Sequence, residues 1–315
     1  MTPTAPGRFT SWRSCAATKL IVCAFAGVAP LALAQDIEPR AYSNAPVGVN
    51  FLVAGYAYTR GGLSFDSDLP IADVHLHTSN AVLAYAHVLD LWGKSAKFDV
   101  IAPYTWLSGS AQYADQSIQR IVNGFADPAF RLSVNLYGAP ALNLKEFRDY
   151  TQDLIIGASL RITPPWGQYD DSRVVNIGSN RWSFKPEVGL SKALGELTLE
   201  ATAAVTLFTD NTDFYGGSTR SQNPLYSFQG HAIYSFPSGI WGSVDATYFT
   251  GGRSTLNGVL NTDLQQNWRV GGTLSFPVDL HNSVKLFLSS GVSARTGNNY
   301  DLIGAAWQYR WGGGL

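Results

Sequence analysis

Charged and polar side chains recur at every second position within otherwise apolar stretches of this 315-residue chain. In residues 182–190 (WSFKPEVGL), Lys185 and Glu187 alternate with large apolar residues. A two-residue period places the charges on one face of a β-strand and the apolar side chains on the other. Charges gathered on one face could line an interior pore for small solutes, or they could pair with each other and simply fill a narrow interior. The candidate residues are Arg131, Arg161, Lys185, Glu187, Glu200, His231, Asp245, Arg269, Lys285 and Arg310.

A second pattern is that of a serine hydrolase. His77 and Ser79 are two residues apart, so on a strand their side chains would share a face within reach of each other. Lipid hydrolases use such a pair, but Ala81 follows Asn80 where their pattern has glycine, and no suitable asparagine partner comes later. An ordinary strand start is the stronger interpretation, and we predict no catalytic residue.

Other kinds of chemistry have little support in the sequence. The remaining histidines are scattered without metal-ligand spacing, and no phosphate-binding glycine loop is present. Both cysteines, Cys15 and Cys23, fall within the first 34 residues. We therefore predict no metal, no cofactor and no disulfide. No basic patch indicates nucleic acid as a partner.

The N-terminus has the features of a secretory signal peptide. Arg8, Arg13 and Lys19 form a basic region, residues 20–33 are mostly apolar, and residues 32–34 (ALA) are a small-x-small cleavage site. We predict a signal peptide over residues 1–34. Its removal leaves 19 basic against 23 acidic residues, a formal charge of −4.

The composition favours a membrane protein that crosses with strands. Only 14% of residues are charged, whereas 13% are aromatic. Low charge with many aromatic residues suits a surface that faces lipid and its two interfaces. After residue 34 no stretch of 18 consecutive apolar residues occurs, so helical spans are excluded.

The alternation repeats often enough to predict an all-β fold, a single transmembrane antiparallel β-barrel of about twelve strands over residues 47–315. An open sheet in lipid would leave unpaired backbone groups at its edges, so the first strand must pair with the last. The expected strands are 47–60, 78–90, 96–108, 127–137, 152–163, 181–191, 197–208, 225–236, 241–250, 264–276, 283–294 and 301–311.

The connections alternate between long and short, as expected when one rim faces outside and the other the periplasm. Long connections are expected at 61–77, 109–126, 164–180 and 209–224, and residues 35–46 are expected to be a short periplasmic segment. Asn176, Asn180 and Arg181 would lie at the extracellular mouth. They could contact a solute, although a tight turn set by Gly178 and the asparagines is the favoured interpretation.

Four stretches resemble a family of outer-membrane transporters named for the meta-pathway of phenol degradation. They are residues 124–128 (GFADP), 138–142 (GAPAL), 175–186 (VNIGSNRWSFKP), and 248–252 (YFTGG) with Asn257-Gly258. The resemblance implies an outer-membrane barrel and, loosely, uptake of aromatic or hydrophobic compounds. The aromatic residues near the C-terminus similarly resemble the signal that such proteins offer to the barrel-assembly machinery.

We therefore expect an outer-membrane channel for passive uptake of small hydrophobic or aromatic compounds in a Gram-negative bacterium. Outer-membrane lipid and those solutes would be its partners. Twelve strands fall between narrow, filled barrels and wide, water-filled ones. A structural barrel with a closed lumen is therefore the main alternative, and an outer-membrane lipid hydrolase is a lesser one.

Overall fold

Alternating apolar and polar residues build the strands of this protein. The computed structural model describes residues 37–62, 71–113, 116–296 and 299–315, so the predicted signal peptide lies outside the described residues. The strands of the main sheet are β1 (Val49–Gly62), β2 (Ile71–Leu91), β3 (Lys94–Tyr113), β4 (Gln116–Phe125), β5 (Ala129–Tyr137), β6 (Leu154–Thr163), β7 (Ser183–Leu194), β8 (Leu197–Phe208), β11 (Leu225–Ser235), β12 (Trp241–Gly251), β15 (Gln265–Pro277), β16 (Asn282–Ala294) and β17 (Asn299–Gly312). Four short strands lie outside that sheet: β9 (Asn211–Phe214), β10 (Ser218–Gln222), β13 (Ser254–Leu256) and β14 (Val259–Leu260).

The main sheet closes on itself. Its strands pair antiparallel in the order β2-β1-β17-β16-β15-β12-β11-β8-β7-β6-β5-β3, and β3 pairs with β2 to complete the ring. The first and last strands pair from Val49 with Gly312 to Gly62 with Asn299. Twelve strands thus form a closed barrel, which confirms the predicted fold class.

One of the predicted long connections is largely strand. The chain expected to form a loop over 109–126 instead extends β3 to Tyr113 and returns as β4. Consequently β3 pairs with β5 over Ala96–Ile101 and with β4 from Tyr104 onward. This extension is rich in Ser, Gly and Gln, which lack the apolar face of a lipid-facing strand, so its alternation was not visible in the sequence.

The two faces of the wall differ as the alternation predicts. On β7 the outward side chains of Val188 and Leu190 are 58% and 45% exposed, whereas the inward Lys185 and Glu187 are 5% and 9% exposed. In the described residues, no helix is long and apolar enough to span a bilayer. The barrel therefore has an apolar outer surface and a charged lumen.

The rims also differ. The strands turn tightly at the short rim, for example at Trp92-Gly93 and at residues 195–196. That rim carries one longer connection, where helix α1 (Leu144–Phe147) begins at a capping box between Asn143 and Glu146. At the long rim, β9, β10, β13 and β14 form a small separate sheet that joins two connections.

Closure between β1 and β17 can be tested by a disulfide. Tyr56 pairs with Ala305 on the outer face, so Tyr56→Cys with Ala305→Cys should cross-link, because opposite residues of antiparallel strands lie within disulfide range. Cys15 and Cys23 would be changed to serine. After heating without reductant, the cross-linked chain should migrate differently from the reduced chain on a denaturing gel.

The matched control pairs Tyr56→Cys with Ala306→Cys, because Ala306 is the partner of Gly55 and points into the barrel. Equal cross-linking of the two pairs would contradict the register described here.

Candidate functional site: the charged lumen

The segment before β1 lies inside the barrel. Within a few residues it contacts strands that are four places apart in the ring of twelve: Glu38 binds Arg131 of β5, and the Glu38 amide donates to the side-chain oxygen of Gln229 on β11. Its end packs at the short rim, where Val47 and Gly48 donate backbone hydrogen bonds to Leu142 and Val88. The expectation of a periplasmic segment over residues 35–46 is therefore wrong for residues 37–46, because the lumen offers partners that bury their charges.

Tyr42 fixes this segment against the wall. Its ring is buried and lies over Gly157 of β6 and Gly189 of β7, where a methyl group on either glycine would overlap the ring. Its hydroxyl donates to Glu187 at 3.1 Å and approaches Ser159 at 3.3 Å. The two glycines thus make room for an aromatic side chain inside the barrel.

Six charges meet at the side of the lumen formed by β3, β5, β6 and β7. We name this the six-charge cluster; its members are Glu38, Asp99, Arg131, Arg161, Lys185 and Glu187. The two Glu38 carboxylate oxygens bind different guanidinium groups, one of Arg131 and one of Arg161. Arg131 also donates from Nε to both Asp99 oxygens at 3.1 Å, and Lys185 lies 3.4 Å from Glu187. All six are buried, and three acids balance three bases.

A second polar group lies at the side of the lumen formed by β8, β11 and β12. Glu200 accepts hydrogen bonds from the Arg40 amide at 2.6 Å and the Ser191 hydroxyl at 2.8 Å. His231 Nδ1 lies 2.7 Å from Asp245, whose other oxygen accepts from Ser243. The N-terminal segment therefore binds to both sides of the lumen.

The other predicted lumen residues point inward but lie apart from these groups. Arg269 donates to the Tyr300 carbonyl at 3.1 Å and stacks on its ring. Lys285 lies 5.5 Å from the centre of the Trp241 ring, which Arg40 also contacts. Arg310 lies near the short rim and donates to the Leu280 carbonyl at 2.6 Å.

The three predicted mouth residues support the structure of the long rim. Asn176 accepts from the Asp170 amide and donates to the Asp170 and Arg173 carbonyls. Asn180 has a positive φ of 52° and hydrogen-bonds Asn211. Arg181 is buried, where it binds Gln222 and stacks on Phe208.

The turn chemistry at this rim differs from the prediction in one detail. The positive φ falls on Asn180, whereas Gly178 is needed because its backbone packs closely against Gly167 and Asp127. Nearby, hydrogen bonds from the hydroxyl and amide of Ser172 hold the pKa of Asp170 below its usual value.

Asp127 joins two of the four family motifs, residues 124–128 and residues 175–186. The wall is interrupted between β4 and β5 at residues 126–128, and the connection after β6 folds against the interruption. There the buried Asp127 carboxylate accepts the amides of Gly167 and Ser179, both at 2.8 Å, and the Ser179 hydroxyl at 2.7 Å.

Several luminal residues were missed by the sequence analysis. Lys97 and Asp99 alternate with Phe98 and Val100, so the pattern that identified Arg131 could have found them. Glu38, Arg40 and Tyr42 gave no such signal, because the segment that carries them is not a strand and its partners are distant in sequence.

The proposed hydrolase pair does not form a catalytic arrangement. His77 and Ser79 lie on the outer face of β2, where Tyr58 contacts the His77 ring at 3.1 Å and Tyr56 donates to Ser79 at 2.9 Å. Each of these two side chains therefore hydrogen-bonds a tyrosine of β1. Within the described ranges, no three potential ligands are grouped as a metal site would require.

Residues 54–309 match the family model described as "Putative MetA-pathway of phenol degradation". The chain belongs to this family. The matched region covers almost the whole barrel, which confirms the resemblance drawn from the four motifs. Among curated proteins, none matches the chain.

A solved structure shows the same fold. The chain is similar to an outer membrane channel from Pseudomonas putida F1, with a TM-score of 0.69 and 18% identity over 88% of this chain and 100% of that one. Weaker likeness relates it to the β domain of the Bordetella autotransporter BrkA, with a TM-score of 0.49 and 11% identity over 82% of this chain and 99% of that one. At 18% identity the likeness to the channel concerns the fold alone.

The packing of Tyr42 against the barrel wall can be tested by Gly189→Ala. The added methyl group would overlap the tyrosine ring, so the N-terminal segment should leave its place and Arg40 should become accessible to trypsin. Mass spectrometry would then detect faster cleavage after residue 40. Gly230→Ala is the control, because a methyl group there meets no atom within 4 Å. Equal cleavage of both variants would contradict the proposed packing.

The role of Asp127 can be tested by Asp127→Ala. A hydrogen bond to a charged group contributes about 1.5–3 kcal/mol, so losing three should speed amide exchange over residues 164–182 by at least about tenfold. Hydrogen-deuterium exchange would measure this change. The exposed Asp171→Ala in the same connection should leave exchange near the wild-type rate. Unchanged protection in Asp127→Ala would show that other contacts hold the connection.

Proposed function

We propose that this chain is an outer-membrane channel that admits small hydrophobic or aromatic compounds by passive uptake. The observation that carries the proposal is the closed barrel with an apolar outer face and a charged lumen. A sheet with these two faces suits a wall between lipid and a water-accessible interior. Family membership and the fold shared with the Pseudomonas putida channel support the same assignment.

The outer surface supports residence in the outer membrane. Large side chains of successive strands are exposed on it, including Leu83, Val244, Leu274 and Ile303. Aromatic residues gather toward the end of β17, where Trp307, Tyr309 and Trp311 stack in a row. This placement agrees with an interfacial aromatic belt and with recognition by the barrel-assembly machinery. Export through the signal peptide over residues 1–34 completes the proposed route.

The family description, which names phenol degradation, supports the choice of aromatic compounds as the class of solute. Phenol, the compound that this description names, is a single ring and would need little space beside the N-terminal segment. No step of the proposed passage requires energy coupling, a metal or a cofactor from the described residues.

A closed structural barrel is the second candidate, and one observation favours it. The N-terminal segment is held in the lumen by buried ion pairs on one side and by Arg40 on the other. Breaking a buried ion pair by removing one partner is costly, so a segment held in this way could block the lumen permanently.

Planar-bilayer conductance distinguishes the two candidates. The channel proposal expects a small current from the wild-type protein and a clearly larger one after deletion of residues 37–46, because the deletion removes this segment from the lumen. Val244→Ala is the control, since this side chain is 72% exposed on the outer face and should leave the current unchanged. Absence of current from both the wild type and a folded deletion variant would favour the closed barrel.

A further inference from the structure

Three cations lie side by side on the luminal wall. Arg131 of β5 is the register partner of Arg161 on β6, and Arg161 is the partner of Lys185 on β7. Like charges directly opposite each other on neighbouring strands are destabilising. On the wall, Asp99 flanks this row at one end and Glu187 lies beside Lys185. These two wall carboxylates leave one positive charge to be balanced.

Glu38 supplies the balancing charge from outside the wall. Its carboxylate bridges the two arginines, with one oxygen on each guanidinium group. Guanidinium groups match the geometry of a carboxylate, and such charge-assisted hydrogen bonds are about twice as strong as neutral ones. Glu38 therefore contacts Arg131 and Arg161 as a bound free carboxylate would, although the peptide chain tethers it to β1.

We propose that Arg131, Arg161 and Lys185 form a carboxylate-binding site and that Glu38 occupies it as an internal ligand. A solute that carries a carboxylate can replace Glu38 and keep the six-charge cluster neutral. A neutral solute cannot, because the displacement of Glu38 would leave buried cations unbalanced. The site would thereby select carboxylated compounds among the solutes of the proposed channel, so its role in the cell rests on that function.

The tether makes Glu38 a strong competitor. A group held on a short linker acts at an effective concentration of about millimolar or more. A free carboxylate therefore binds the wild-type protein weakly, and removal of the Glu38 side chain should reveal the full affinity of the site.

The experiment uses the purified full-length protein in detergent, with benzoate as the probe and benzamide as its neutral analogue. For Glu38→Ala we expect benzoate to bind at least about tenfold more tightly than benzamide by calorimetry. Its unfolding midpoint should also rise with the logarithm of the benzoate concentration. Wild-type protein should bind benzoate at least about tenfold more weakly than Glu38→Ala does.

The control is the double variant Glu38→Ala with Arg161→Met. It removes one acid and one base, so the remaining charges of the six-charge cluster balance, and its preference for benzoate should disappear. Equal binding of benzoate and benzamide by Glu38→Ala would overturn the proposal. Retention of the benzoate preference by the double variant would do so as well.

A second measurement leaves Glu38 in place and so does not depend on the folding of Glu38→Ala. Ile37→Cys, with Cys15 and Cys23 changed to serine, reports exposure of the N-terminal segment to a thiol reagent. Benzoate should accelerate its labelling severalfold and benzamide should not, whereas Val259→Cys on the small sheet should label equally under all conditions. No acceleration by benzoate would contradict displacement of Glu38. If Glu38→Ala bound benzoate selectively but the protein gave no conductance in planar bilayers, the channel function would be refuted and the carboxylate-binding site would stand.

Discussion

Pairing of every backbone amide and carbonyl in the wall is the constraint on which the rest of the structure depends. In hydrocarbon an unpaired backbone group costs several kcal/mol, so a two-faced sheet can exist there only as a ring. The pairing of β1 with β17 along the whole length of β1 satisfies this requirement. Closure then defines the interior, because every second residue of each strand must point into it.

A polar interior creates a second requirement, which is that buried charges be balanced locally. The wall alone does not achieve this at the row formed by Arg131, Arg161 and Lys185. The N-terminal segment supplies Glu38 there, whereas the Arg40 guanidinium contacts Ser235 of β11 and Trp241 of β12, so its own charges cancel while each serves a different part of the lumen. The segment thereby belongs to the electrostatic structure of the barrel as well as occupying part of its lumen.

The sequence predicted the wall well because alternation is a local property that lipid enforces at each strand. The prediction from sequence failed where the chain leaves the lipid and alternation is no longer required. Beyond the bilayer, β3 and β4 need no apolar face, so their sequence is rich in Ser and Gly and shows no alternation. The two strands nevertheless pair by regular antiparallel hydrogen bonds. The position of Glu38 could not be predicted either, since its partners Arg131 and Arg161 are 93 and 123 residues away along the chain. At the long rim, the asparagines and Gly178 indicated a turn. The sequence could not show that Asn180 takes the positive φ while Gly178 is required for close packing.

The small sheet at the long rim has a consequence for how other molecules encounter this protein. Its strands join connections that follow β8 and β12, and the side chain of Asn257 accepts from the amide of Thr219, 38 positions earlier in the chain. These two connections therefore form one rigid surface. An antibody or a phage that recognised this surface would bind a discontinuous epitope. Such an epitope exists in the folded chain and is lost in any linear peptide taken from the sequence.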